Sequence, residues 1–194
     1  MKLIFSGTDR PGSNSLKVSK IIQEIYSNLG EVVKIVDLAE LKLIKTMEQS
    51  RYGEALPTEI QETLALINQA EGLIIVCPEY NGSMPGILKW FIDHFKYPDA
   101  FEYRPVCFIG LGGMFGGLRA VEHLQQVFGY RNSFIFPERI FLINIFRTMK
   151  DGELTDLFSL DLLKKQAAGF QKFCLALQSQ KLDAKSLLDS RLTK

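Results

Sequence analysis

An open α/β sheet of five parallel strands, with helices on both faces, is the fold that this sequence predicts. Two observations carry the prediction. Residues 73–77 are a short unbroken apolar run, the pattern of a strand buried on both faces, and 105–111 reads as a further strand. Such runs alternate with longer stretches whose apolar residues recur at helical spacing. Strand, helix, strand in succession implies right-handed βαβ units, hence a parallel sheet between two helical layers. The length of 194 residues fits a single domain spanning 1–194.

The elements follow in order. Residues 2–5 read as the first strand, and a polar loop covers 6–14. A helix over 15–29 carries Val18, Ile21, Ile22, Ile25 and Leu29 on one stripe, with Gly30 as its stop. Residues 32–36 form the second strand. Residues 38–56 show no clear period and read as irregular. A helix over 58–70 turns Ile60, Leu64 and Ile67 inward. The third strand, 73–77, runs into a turn-rich loop at 78–86, and a helix follows over 87–95. The fourth strand, 105–111, enters a glycine-rich loop ending at Gly117, then a helix over 118–128. Residues 133–136 form the fifth strand. Residues 140–146 are an apolar run of unassigned type, and a helix over 157–177 closes the chain. Five strands fit the 2-1-3-4-5 order of doubly wound sheets, in which ligands sit at the carboxyl ends of the strands.

Composition excludes several function classes. The formal net charge of +1 gives no electrostatic footprint for nucleic acid or an anionic membrane. It also weighs against a dedicated acidic electron carrier. The amino-terminal apolar run is too short for a signal peptide, and no window approaches transmembrane length. Cys77, Cys107 and Cys174 are far apart with no Cys-x-x-Cys, which argues against a disulfide framework or structural zinc. A reducing, cytoplasmic setting is the expectation.

Three loops carry candidate chemistry. In the first, Thr8, Ser13 and Ser15 offer hydroxyls and Arg10 a fixed cation, beside the free N–H groups of a helix start. That set suits a phosphate monoester. The competing reading is a polar turn with Ser13 or Asn14 as N-cap. No Gly-Lys-Ser/Thr is present, so it is not a Walker loop. In the second loop, Tyr80 is placed to pack beside a planar ring, and the backbone of Asn81, Gly82 and Ser83 to hydrogen-bond its edge. The alternative is a plain Asn-Gly turn. Ser83 lacks the Gly-x-Ser-x-Gly elbow of a nucleophile. Cys77 is followed six residues on by Ser83, not by the arginine of a phosphatase loop, and reads as a buried thiol. In the third loop, Phe115 stands where a dinucleotide fingerprint needs its third glycine. Its glycines allow close backbone approach to a flat ligand, or simply a flexible turn.

Taken together the motifs become specific. Gly7-Thr8-x-Arg10-x-x-Ser13-x-Ser15, Pro78-Glu79-Tyr80-Asn81-Gly82-Ser83-x-Pro85-Gly86-x-Leu88-Lys89-x-x-x-Asp93 and Gly112-Gly113-x-x-Gly116-Gly117-x-Arg119-Ala120 occur in this order. This arrangement resembles the NAD(P)H-dependent FMN reductase family of flavodoxin-like proteins, which includes quinone, azo-dye and chromate reductases. The resemblance covers residues 1 to about 127. It implies a flavodoxin-like three-layer sandwich with a five-stranded parallel sheet. It implies FMN as cofactor and NAD(P)H as co-substrate, with the chemistry on the flavin and a small-molecule electron acceptor. By resemblance, Thr8, Arg10, Ser13 and Ser15 would hold the FMN phosphate. Pro78, Glu79, Tyr80, Asn81 and Gly82 would border the isoalloxazine ring, with Gly112 and Gly113 on a second edge. It further implies a homodimer or homotetramer with the flavin near the interface.

The chain departs from the family at three positions. Thr8 replaces the usual Ser and keeps the hydroxyl. Trp90 replaces a frequent Asn on the helix that commonly meets a partner subunit, and Leu111 replaces a smaller residue. Two further functions compete with a reductase. A non-catalytic FMN carrier or regulator would bind flavin yet react slowly with NAD(P)H. A domain that has lost its cofactor would be colourless and take up no FMN.

Overall fold

The computed structural model describes residues 1–49 and 53–192. The chain runs β1 (Lys2–Ser6), α1 (Asn14–Asn28), β2 (Val33–Asp37), α2 (Leu43–Gln49), α3 (Thr58–Gln69), β3 (Gly72–Pro78), α4 (Gly86–Asp93), β4 (Pro105–Leu111) and α5 (Leu118–Gly129). There follow β5 (Phe134–Ile135), β6 (Ile140–Leu142), α6 (Ile145–Thr148), the hairpin β7 (Met149–Lys150) and β8 (Glu153–Leu154), α7 (Leu157–Ser179) and α8 (Ala184–Leu192).

The sheet order is β2-β1-β3-β4-β5, all parallel, which is the flavodoxin-like order. β1, β3 and β4 are buried at every residue, as inner parallel strands covered by helices should be. β2 lies at the edge and is partly exposed. Successive side chains of each inner strand point to opposite faces. Leu3, Phe5, Leu73, Ile75, Val106 and Phe108 pack with α3, α4 and α5 on one side. Ile4, Ile74, Val76, Cys107 and Ile109 pack with α1 and α7 on the other. Two cores flanking one sheet make the three-layer sandwich.

Two sequence expectations need correction. The fifth strand position is divided. Phe134–Ile135 pairs with Pro105–Val106, and Ile140–Leu142 pairs with Ile109–Leu111. Pro137 lies between the two pieces and has no N–H to give a ladder. The apolar run at 140–146 is therefore half strand and half helix. Within the segment expected to be irregular, Leu43–Gln49 is helical, and residues 50–52 lie outside the described residues. Leu43 is almost fully buried in the first core, so packing rather than intrinsic propensity stabilises this short helix.

On α4, Leu88, Phe91, Ile92 and Phe95 fill the core side. Trp90 is half-buried against the same core and meets the His94 ring edge-on, with centroids 4.4 Å apart. Trp90 is thus partly covered by its own chain.

Candidate functional site

Three loops meet at the carboxyl ends of β1, β3 and β4. The first is fixed to the sheet by Gly7, whose N–H donates to the Val76 carbonyl at 2.9 Å. A Cβ at Gly7 would sit 2.8 Å from that carbonyl oxygen, so only glycine allows the chain to turn here. Ser13 caps α1, its Oγ accepting from the Leu16 N–H at 3.1 Å. That leaves the Ser13 O–H free to donate forward. Ser15 is buried, and its Oγ has no hydrogen-bond partner among the described residues. Arg10 is exposed. A fixed cation, an orphaned buried hydroxyl and a capped helix N-terminus form a set that suits a dianionic group.

The second loop leaves β3 with the Glu79 N–H donating to the Leu111 carbonyl at 3.1 Å. Tyr80 and Ser83 then exchange backbone hydrogen bonds of 2.9 and 3.1 Å around a tight turn. Asn81 (φ 49°) and Gly82 (φ 80°) both lie in the left-handed region, which is the type I′ geometry that an Asn-Gly pair favours. The Tyr80 hydroxyl lies 2.9 Å from Thr8 Oγ1 and so links the first two loops. Glu79 pairs with Arg119 of α5, Nη1 to Oε1 at 2.6 Å, and Ser83 Oγ lies 2.8 Å from His123 Nδ1.

In the third loop most glycines pack backbone on backbone. A Cβ at Gly110 would lie 2.6 Å from the Gly116 carbonyl oxygen, and one at Gly117 would lie 2.5 Å from the Leu111 nitrogen. These residues let the loop fold closely against itself. The Gly112 N–H donates to the Leu142 carbonyl at 3.2 Å. The Gly112 and Gly113 carbonyls accept from Ile145 and Asn144 at 3.0 and 2.8 Å.

A cleft of about 240 Å³ lies between the loops. Thr8, Arg10, Ser13, Ser15, Pro78, Glu79, Tyr80 and Gly112 line it, bringing together eight of the eleven expected site residues. Asn81, Gly82 and Gly113 lie outside the lining. Sequence reasoning did not assign Pro11, Gly12, Asn14, Leu111, Ile145 or Phe146, which also line the cleft. Phe146 is 74% exposed. Topology was the available signal: whatever follows the fifth strand must leave from the carboxyl edge, where the cleft lies. Cys77, one residue below the cleft, is fully buried. Burial, with a smaller push from Glu79, holds its thiol well above the ordinary range, so it is an inert core group.

Comparison with known proteins gives the family. Residues 1–148 match the NADPH-dependent FMN reductase family, further than the motifs alone had reached. A quinone reductase of Escherichia coli is 30% identical over 173 residues, covering 86% of this chain and 91% of that protein. An FMN-dependent NADPH-azoreductase of Staphylococcus saprophyticus is 28% identical over 127 residues, covering 64% and 67%. The structure of FerB, a flavoenzyme NAD(P)H:(acceptor) oxidoreductase from Paracoccus denitrificans, superposes with a TM-score of 0.69 at 18% identity, covering 90% of this chain and 97% of that one. The chain belongs to the NADPH-dependent FMN reductase family and is an FMN-binding, NAD(P)H-dependent oxidoreductase.

Proposed function

We propose that the cleft holds FMN with its phosphate on Thr8, Arg10, Ser13 and Ser15 and its ring beside Pro78, Glu79, Tyr80, Asn81 and Gly82, Gly112 and Gly113 facing a second edge. The observation that carries this assignment is the buried Ser15 hydroxyl, left without a partner at the N-terminus of α1 beside Arg10. Bound FMN supplies the hydride chemistry between NAD(P)H and acceptor. The chain supplies position and charge.

Backbone donors for the ring edge divide into two groups. The Glu79 and Gly112 N–H groups are already engaged by the Leu111 and Leu142 carbonyls. The N–H groups of Asn81, Gly82 and Gly113 make no backbone hydrogen bond among the described residues. These three, outside the cleft lining itself, are the donors left to stabilise negative charge at the edge of the ring. No residue of the chain is required as an acid–base pair for the hydride step.

The acceptor is a small planar molecule of quinone or azo type. The quinone reductase and azoreductase relatives support this class, as does the exposed apolar face of Phe146 at the cleft. The full chain acts as one FMN-binding domain, as a homodimer or homotetramer. A cytoplasmic setting fits three unpaired, buried cysteines. Among the described residues, no helix is long and apolar enough to cross a membrane.

Anaerobic stopped-flow tests the reading. FMN-loaded protein mixed with NADH or NADPH should bleach within seconds, on the catalytic timescale. Bleaching over many minutes with both nucleotides would make it a flavin carrier instead. Parallel titrations with FMN and FAD should favour FMN, because the first loop is built around a terminal phosphate.

A further inference from the structure

Arg119 and His123 stand one turn apart on α5, and both reach the loop after β3. The Arg119 guanidinium bonds Glu79 and also lies over the Phe115 ring, 4.5 Å from its centroid. One cation therefore touches both the second and the third loops of the cleft. Gly82 is also close: a Cβ there would meet Arg119 Cδ at 3.8 Å.

Glu79 makes the position of this cation consequential. The Glu79 side chain is 14% exposed and lines the cleft, while that of Arg119 is 47% exposed. Glu79 Oε2 is buried with no hydrogen-bond partner among the described residues. A largely buried carboxylate depends on its one charged partner. Without it, an uncompensated negative charge would stand beside the ring, and like charge opposes the negative charge that reduction adds.

We propose that Arg119 is a positioning residue of this site that acts through Glu79: it neutralises that carboxylate and thereby makes bound FMN easier to reduce. This rests on the reading that the cleft holds FMN. The Ser83–His123 bond holds the loop at a second point. Loss of the Arg119 side chain should therefore leave the loop near its place while removing the charge.

The test compares Arg119→Ala, Arg119→Lys, Glu79→Gln and the double variant Arg119→Ala/Glu79→Gln with wild type. FMN affinity is read by fluorescence quenching, and the midpoint potential by dye-calibrated anaerobic titration. Arg119→Ala should lower the potential and weaken FMN roughly two- to fivefold, the range for a partly exposed ion pair. Arg119→Lys keeps the charge and should restore most of the potential. The double variant removes both charges and should return the potential to near the wild-type value. Glu79→Gln alone should raise it, which keeps the idea testable if Arg119→Ala fails to fold. A wild-type potential in both Arg119→Ala and Glu79→Gln would overturn the proposal. Arg10→Ala separates this from failure of the site itself. If Arg10→Ala weakens FMN while the potentials stay unchanged, only the role of Arg119 fails. If Arg10→Ala binds FMN as wild type does, the cleft assignment fails first.

Discussion

The Thr8 hydroxyl and the Tyr80 phenol meet at 2.9 Å, which joins the loop after β1 to the loop after β3. On the proposed reading this bond links the phosphate end of the site to its ring end. Tyr80→Phe keeps the ring and removes the hydroxyl. A neutral hydrogen bond contributes about 0.5–1.5 kcal/mol, so FMN should bind roughly two- to tenfold more weakly with turnover at saturating FMN preserved. Fluorescence titration gives the first number and steady-state assay the second. Thr8→Val should behave alike, because it breaks the same bond from the other side, with any further loss reporting a phosphate contact of its own.

Ser13 has two duties that one pair of variants can separate. Its Oγ accepts from the Leu16 N–H as the N-cap of α1, and its O–H is free for a phosphate. Ser13→Ala removes both, costing about 1 kcal/mol of stability and weakening FMN. Ser13→Asp keeps a good cap and places a carboxylate at the positive end of the helix. Its apo form should melt no lower than wild type, while FMN binding collapses by repulsion. Equal FMN affinity in Ser13→Asp and wild type would move the phosphate elsewhere.

The inner strands were legible in the sequence because burial on both faces makes them continuously apolar. The edge was not, because Pro137 splits it into Phe134–Ile135 and Ile140–Leu142. The hairpin at 149–154 does carry a local signal. Asp151-Gly152 sits at φ 49° and 90°, the type I′ turn that an Asp-Gly pair favours. The helix α2 had no comparable signal, since Leu43 becomes a core residue only once the sheet exists. In the site, polar residues within the three motifs could be read from residue chemistry and resemblance. Ile145 and Phe146 could not, because an apolar pair after an apolar strand looks like core until the chain is seen to exit at the cleft. Gly110 and Gly117 pack on each other's backbone, a demand invisible in one dimension.

Arg104 should dominate stability among the buried charges. Its guanidinium donates to the carbonyls of Ala100, Asn68 and Asp99 at 3.0–3.1 Å and also to Ala70. It thereby caps the end of α3 and anchors the start of β4. Burial lowers its pKa to about 10, with Asp99 opposing the shift, yet it stays cationic at neutral pH. Arg104→Met leaves those carbonyls without a donor, at a cost on the order of 3 kcal/mol. Urea denaturation should show a lower midpoint with an unchanged slope. Arg104→Lys should recover only part, because a single ammonium cannot reproduce the planar fork.

The last prediction concerns assembly. Leu157 and Phe158 at the start of α7 are 76% and 70% exposed, and Phe146 beside the cleft is 74% exposed. α6 follows β6 directly, which sets Phe146 at the carboxyl edge of the sheet with the cleft. A monomer would show them to water as apolar surface, a pattern that marks contact surfaces. Trp90 is the weaker candidate, since its own core already covers part of it. Sedimentation at micromolar concentration should therefore give at least a dimer. Phe158→Glu, which adds a charge outside the cleft lining, should shift it toward monomer more than Trp90→Glu does. If FMN affinity falls with dissociation, the partner helps to close the site. A monomeric wild type would remove the oligomer from the reading and leave the FMN cleft as it stands.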